Sequence, residues 1–313
     1  MKSISKSILN KEAGLPLIIS GPCSAETEKQ VIATSHALKA TGYVDILRAG
    51  IWKPRTRPGS FEGVGTKGLP WLQKAKELTG LPVAVEVATA RQVEDVLHFG
   101  MDVVWIGART TANPFSVQEV ANALKGVDIP VLVKNPTNPD IDLWMGAVER
   151  LSNAGLQHLG LIHRGFSSCN AGEYRNAPMW QLAMEMKSKN PEMIMLNDPS
   201  HISGKRNGLA QIMRKAIDLS FDGFIIESHI DPENAWSDAD QQVTPKMLKD
   251  LLDAVKAQTI VCRFGGYSSE DFLIQQINQL EDELRIINNK RNGAVTQLKV
   301  KSDIHDGKVP GRR

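Results

Sequence analysis

Cysteine is scarce in this chain. Cys23, Cys169 and Cys262 are its whole complement in 313 residues, too few and too scattered for a disulfide framework. No Cys-x-x-Cys pair occurs to mark a compact zinc knuckle. Net charge is nearly absent too: +2 at neutral pH offers no global attraction to nucleic acid or to an anionic membrane. No apolar run approaches the roughly 20 residues that a spanning helix needs. The opening Met1-Lys2-Ser3-Ile4-Ser5-Lys6 lacks the apolar core of a signal peptide. These absences point to a cytoplasmic protein with reduced thiols and no nucleic-acid or membrane partner. What remains, 42% apolar and 23% charged, is the composition of an ordinary globular enzyme.

What is present is a repeat of short apolar run, polar turn and amphipathic stretch. Strands are expected at 15–21, 44–49, 82–87, 103–108, 130–134, 158–162, 193–197 and 223–227. Helix-like stretches lie between them, among them 27–40, 91–99, 116–125, 207–219 and 246–257. Runs apolar on both faces mark parallel strands covered on both sides. Eight such units over about 250 residues fit an α/β fold of the closed (β/α)8 TIM barrel type. A doubly wound open sheet is the alternative that strand number alone leaves open.

The residues that follow or end these strands carry the functional argument. They are Cys23, then Arg48 and Lys53, then Glu86, Arg109, Lys134, Arg164, His201 and Glu227, in strand order. A closed barrel brings all eight C-terminal strand ends around one mouth, where barrel active sites sit. The cations Arg48, Lys53, Arg55, Arg109, Lys134 and Arg164 would repel one another there unless the ligands are polyanions such as phosphates and carboxylates. Cys23, His201, Glu227 and the loop residue Asp238 offer thiolate, imidazole and carboxylate to a divalent transition metal. By contrast, Gly63-Val64-Gly65-Thr66-Lys67-Gly68 matches G-x-G-x-x-G but follows a polar, turn-like stretch rather than a strand. It is read as a decoy, not a dinucleotide fingerprint. His163 and His229 are read as local structural histidines.

Taken in order, these segments resemble a known family. Gly21-Pro22-Cys23-Ser24-Ala25-Glu26, Leu47-Arg48-Ala49-Gly50, Lys53-Pro54-Arg55-Thr56, Ile106-Gly107-Ala108-Arg109-Thr110 and Val133-Lys134-Asn135 open the series. His163-Arg164-Gly165, Asp198-Pro199-Ser200-His201, Glu227-Ser228-His229 and Ser237-Asp238-Ala239 complete it. The chain thereby resembles the 3-deoxy-D-arabino-heptulosonate 7-phosphate synthases, of the short barrel type related to octulosonate 8-phosphate synthases.

The resemblance implies condensation of phosphoenolpyruvate with erythrose 4-phosphate, the first step toward the aromatic amino acids. It implies a divalent metal ion, manganese or similar, on Cys23, His201, Glu227 and Asp238. It assigns Arg48, Lys53, Arg109, Lys134 and Arg164 to phosphoenolpyruvate, and Arg55 and Thr56 to the sugar phosphate. Ala108 and Glu86 would line the pocket. Lys53, Cys23 and His201 are the residues expected to take part in catalysis, Lys53 as a proton donor. A homo-oligomer, dimer or tetramer, is also expected. The related octulosonate synthases carry Lys-Ala-Asn-Arg-Ser where this chain has Lys53-Pro54-Arg55-Thr56, so the four-carbon sugar is expected over arabinose 5-phosphate. A barrel without catalysis, binding a metabolite only, is the further alternative; the complete Cys23, His201, Glu227 and Asp238 set argues against it.

The barrel pattern is expected to fill residues 1–264 and a helical appendage residues 265–313. Within it, 269–292 read as one amphipathic helix with Leu273, Ile277, Leu280, Leu284 and Ile287 on a heptad seam, stopped by Gly293. This helix resembles the start of the first helix of a chorismate mutase domain. An arginine expected near Ile274 is missing and the rest of such a domain does not follow. Mutase activity is therefore not expected.

Overall fold

A computed structural model describes residues 16–55 and 59–264. The chain divides into two compact units, Met1–Lys256 and Ala257–Arg313, and the sheet lies in the first. Its strands are β1 Leu17–Gly21, β2 Ile46–Ala49, β3 Val83–Val87, β4 Val103–Ile106, β5 Val131–Lys134, β6 Leu159–His163, β7 Ile194–Asn197 and β8 Gly223–Glu227. They pair in sequence order, all parallel, and β8 closes on β1. The closed barrel is thus observed and the open sheet is excluded. The helices are α1 Glu28–Ala40, α2 Leu69–Thr79, α3 Ala90–His98, α4 Pro114–Ala123, α5 Ile141–Asn153, α6 Trp180–Lys189, α7 Leu209–Asp218 and α8 Pro245–Phe264. Single-turn helices Ala108–Thr111 and Pro199–Ser203 sit just above β4 and β7. Among the described residues no helix is long and apolar enough to cross a membrane. The expected seam at 269–292 lies outside the described residues.

Two apolar cores follow from the alternation of side chains along a strand. One fills the space between sheet and helices, with Ile18, Leu47, Val85, Val104, Val133 and Leu161 among its members. The other fills the barrel, with Leu17, Ile19, Ile46, Ala84, Leu132, Leu196 and Ile225. Counting two residues up from inward-facing Ile46, Ala84, Leu132 and Ile225 reaches Arg48, Glu86, Lys134 and Glu227. The period that buries the core therefore also carries these charged residues to the inner side of the mouth. Trp105, buried in the inner core, forms their floor: the Arg48 guanidinium lies 4.9 Å and the Lys134 ammonium 6.0 Å from its ring centre.

The opposite rim is closed by a repeated device. Asp45, Asp102 and Asp222 each stand one residue before an even-numbered strand. Their carboxylates accept from the amides of Ile18, Val83 and Met195 at 2.8, 2.9 and 2.8 Å. In return, the Asp45, Asp102 and Asp222 amides donate to the carbonyls of those same three residues, at 2.9, 3.0 and 2.9 Å. Each pair forms a two-bond ring that joins β1 to β2, β3 to β4 or β7 to β8. Lys76 and Lys187 neutralise Asp102 and Asp222, each at 2.7 Å.

The G-x-G-x-x-G run has a packing explanation. It lies in the loop after β2 and leads through a 3-10 turn, Gly65–Gly68, into α2. Gly63 has φ +95° and a Cβ there would fall 2.1 Å from the Ile51 carbonyl oxygen. The loop must fold flat on Ile51, and only glycine allows it.

Candidate active site at the barrel mouth

The loop after β1 carries Cys23 and the loop after β8 carries Asp238. Gly21 lets β1 approach β2 so closely that a Cβ would meet the Arg48 carbonyl oxygen at 2.0 Å. The two loops are stitched together by buried polar groups. Ser24 and Ser237 hydroxyls meet at 2.5 Å. The Gln242 side chain accepts from the Cys23 amide at 2.8 Å and donates to the Ser237 carbonyl at 2.9 Å. Glu26 accepts from the Trp236 amide at 2.7 Å. Asp238 is held in the left-handed region at φ +48°, a conformation that aspartate tolerates better than most residues.

Through this scaffold Cys23 Sγ and carboxylate oxygens of Glu227 and Asp238 come within 4.8 Å of one another. The thiol lies 3.1 Å from Asp238 Oδ2. His201 reaches the same cluster from the turn above β7, with Nε2 3.8 Å from Glu227 Oε1. Its other nitrogen, Nδ1, lies 2.8 Å from Asp198 Oδ2. That contact fixes the tautomer: Nδ1 donates to Asp198, and the Nε2 lone pair faces the cluster. Burial lowers the His201 pKa despite Asp198, so the ring is held neutral. Burial, with Glu227 next, pushes the Cys23 thiol up to about 12. A thiol and two carboxylates gathered within 4.8 Å of one another, with a neutral imidazole 3.8 Å from one of them, fit a divalent transition metal, whose charge would hold the sulfur as thiolate.

Cations surround the cluster. Lys53 Nζ is 2.7 Å from Cys23 Sγ. Arg48 is buried beneath, donating to Glu227 at 3.3 Å and to the Cys23 carbonyl at 3.1 Å. It therefore faces the cluster rather than the cavity above. Arg55 donates to the Phe61 carbonyl at 2.8 Å and comes within 3.9 Å of Asp238. Thr56 lies outside the described residues. Arg175, on the loop after β6, donates to Asp238 Oδ1 at 2.9 Å. Its partner's carboxyl is driven far below the usual carboxylate range, Arg175 being the largest lowering influence.

The far side of the mouth differs. Lys134 pairs with buried Asp198 at 2.8 Å. Arg164 donates to Asn176 at 2.6 Å, and burial lowers its pKa to about 10. Among the described residues Arg109 has no ion-pair partner. Glu86 accepts from Trp105 Nε1 at 3.0 Å, and Gly107 leaves it room: a Cβ there would sit 2.0 Å from Glu86 Oε1. An open cleft joins the two sides, with Lys53, Arg109, Lys134, Arg164, Arg175 and Asp238 among its walls. Ala108 and His201 also line it.

Sequence reasoning missed Arg175 and the role of Asp198 as common partner of Lys134 and His201. His163 and His229 do serve local structure. His163 accepts no cavity role; it meets the Pro178 carbonyl at 2.6 Å and packs on Trp180 and Phe221. His229 accepts from the Asp231 amide at 2.9 Å.

The family model of the DAHP synthetase I family matches residues 4–262. The chain belongs to the DAHP synthetase I family. Within that family, the phospho-2-dehydro-3-deoxyheptonate aldolase of Thermotoga maritima is 32% identical over 239 residues, covering 76% of this chain and 68% of that protein. The 2-dehydro-3-deoxyphosphooctonate aldolase of Polaromonas naphthalenivorans is 26% identical over 277 residues, covering 82% and 94%. The crystal structure of the Thermotoga maritima DAHP synthase superposes with a TM-score of 0.70 at 30% identity, over 80% of this chain and 71% of that one. A truncated form of the synthase from the same organism gives 0.69 at 28% identity, over 80% and 88%. This DAHP synthetase family member is an aldolase-type enzyme on a (β/α)8 barrel.

Proposed function

We propose that this chain condenses phosphoenolpyruvate with erythrose 4-phosphate and water to give 3-deoxy-D-arabino-heptulosonate 7-phosphate and inorganic phosphate. The observation that carries this reading is the split mouth: a Cys23, His201, Glu227 and Asp238 cluster on one side, and Arg109, Lys134 and Arg164 on the other. A divalent ion, manganese or similar, held by those four residues would supply Lewis-acid polarisation of an aldehyde.

The chain's own residues do the rest. Arg109, Lys134 and Arg164 hold the phosphate and carboxylate of phosphoenolpyruvate, the guanidinium groups through paired hydrogen bonds. Arg48 acts from below as counter-charge to Glu227. Arg55 with Thr56 takes the sugar phosphate. Carbon 3 of phosphoenolpyruvate attacks the aldehyde, and the new alkoxide takes a proton from Lys53, which stands beside Cys23. Water adds at carbon 2, and the resulting hemiketal phosphate expels phosphate by C–O cleavage.

A relative named for octulosonate chemistry makes arabinose 5-phosphate the rival aldose. Phosphate release from phosphoenolpyruvate is expected with erythrose 4-phosphate, strongly preferred over arabinose 5-phosphate, and is expected to vanish on chelation and return with Mn²⁺. Preference for the five-carbon sugar, or turnover indifferent to chelator, would refute the corresponding half of the proposal.

A further inference from the structure

Gln241 stands outside every functional group considered so far, yet its side chain touches both halves of the cluster. It is almost fully buried, at 1% exposure, in the 3-10 turn Ala239–Gln241 that follows Asp238. Its Oε1 accepts from Arg175 Nη1 at 2.6 Å. Its Nε2 donates to Glu227 Oε2 at 2.6 Å. Chemistry fixes this orientation, because a guanidinium has no acceptor and a carboxylate has no donor. The same Arg175 nitrogen donates to Asp238 Oδ1.

A continuous chain therefore runs from Asp238 through Arg175 and Gln241 to Glu227. At its far end Glu227 is held on its other oxygen by Arg48. The bridge itself holds one oxygen of each carboxylate, Asp238 Oδ1 and Glu227 Oε2. Asp238 directs its other oxygen, Oδ2, at the Cys23 sulfur, and Glu227 directs Oε1, which also accepts from Arg48, toward His201 Nε2.

Arg175 is itself well anchored. Its amide donates to the Ile202 carbonyl at 2.9 Å, on the turn that carries His201. Gly204, at φ +73°, lets that turn pack against its Cβ, where any larger residue would come within 2.6 Å. The neighbouring Asn176 donates to the His201 carbonyl at 2.7 Å and accepts from Arg164. The backbone of the Arg175 segment is thus registered to the histidine as well as to the two acids.

We propose that Gln241 and Arg175 form a positioning bridge that presents Glu227 and Asp238 together to a divalent cation. The proposal rests on the reading of Cys23, His201, Glu227 and Asp238 as its ligands. Groups that orient a ligating carboxylate typically govern affinity by 10–100-fold. Arg175 adds an opposing effect, since its charge repels a cation; Gln241 is neutral and gives the cleaner test.

The test is calorimetric titration of the full-length, metal-stripped chain with Mn²⁺, beside steady-state kinetics at rising Mn²⁺. Q241L is expected to bind Mn²⁺ about 10–100-fold more weakly than wild type. Q241N keeps the amide but is one methylene too short to reach both partners, and is expected to lose at least about 5-fold. In both, turnover at saturating Mn²⁺ is expected to recover to within about 3-fold of wild type, with KM for phosphoenolpyruvate little changed. Such recovery would not follow from a merely structural defect. Mn²⁺ affinity within about 2-fold of wild type in both variants overturns the bridge while leaving the metal site intact. Weakened binding that excess Mn²⁺ does not rescue also overturns it. A wild-type chain that binds no Mn²⁺ removes the metal reading and the bridge with it.

Discussion

The two ends of this barrel use charge in opposite ways. At the rim below the strands, Asp45, Asp102 and Asp222 each close a ring with a backbone amide, and Lys76 and Lys187 neutralise two of them. Each of these charges has a local partner. At the mouth, acids and bases are crowded on the β8–β1–β2 side, while on the β4–β6 side Lys134 shares one acid with His201, Arg164 has a neutral partner and Arg109 has no ion-pair partner among the described residues. Charges satisfied within the chain hold a fold together; charges left in excess around a cavity define what must come from outside.

That contrast can be broken by substitution. The largest effect belongs to the mouth. Cys23→Ser is expected to lower kcat/KM by about 10³-fold or more, equivalent to about 4 kcal/mol of transition-state stabilisation, with little change in Tm. Activity within tenfold of wild type, measured by phosphate release, would remove Cys23 from the chemistry.

His163 sharpens the comparison, because it ends β6 at the mouth yet turns outward into the aromatic layer. Burial lowers its pKa from 6.5 to about 4. Between these values the unfolded chain takes up a proton that the folded chain refuses. The contribution to stability is therefore complete above about pH 6.5, falls as the pH drops, and levels off below about 4. The span amounts to about 3 kcal/mol. H163Q, able to donate to the Pro178 carbonyl, is expected to flatten the dependence of unfolding free energy on pH in that window. A slope identical to wild type would mean that other groups carry it.

The smallest effect belongs to the lower rim. D102A or D222A leaves a strand amide without its acceptor and is expected to cost about 1–2 kcal/mol in denaturant unfolding, with kcat unchanged. A fall in kcat without a fall in stability would show that the two ends are not separable.

Most of this plan was legible before any coordinates. Buried strands announce themselves by apolar runs, and the same two-residue period that places Ile46 and Ile225 inward carries Arg48 and Glu227 to the mouth. Direction at the mouth was harder: nothing in the sequence says that Arg48 lies under the cluster and not in the cavity. Arg175 and Gln241 sit in loops, where no periodicity marks a side chain's aim. Asp198 was visible beside His201, but its second partner, Lys134, is 64 residues away and meets it only at the barrel mouth, across the end of the intervening β6. The rim aspartates do have a signal, an Asp immediately before Ile46, Val103 and Gly223, but it acquires meaning only once the strand pairing is known.

Those rim rings also bear on how the barrel opens. A tie between the starts of two neighbouring strands turns strand, helix and strand into a closed parcel. The parcels are β1 with β2, β3 with β4 and β7 with β8. Sub-global opening should therefore follow the joints between parcels before it divides any one of them. In native-state hydrogen exchange the amides of Ile18, Val83 and Met195 are expected to exchange with the slow core, despite lying at strand starts where fraying is the rule. Fast exchange at all three would reduce the rings to surface decoration. Slow exchange would make the barrel, kinetically, a set of paired strands and not a uniform cylinder.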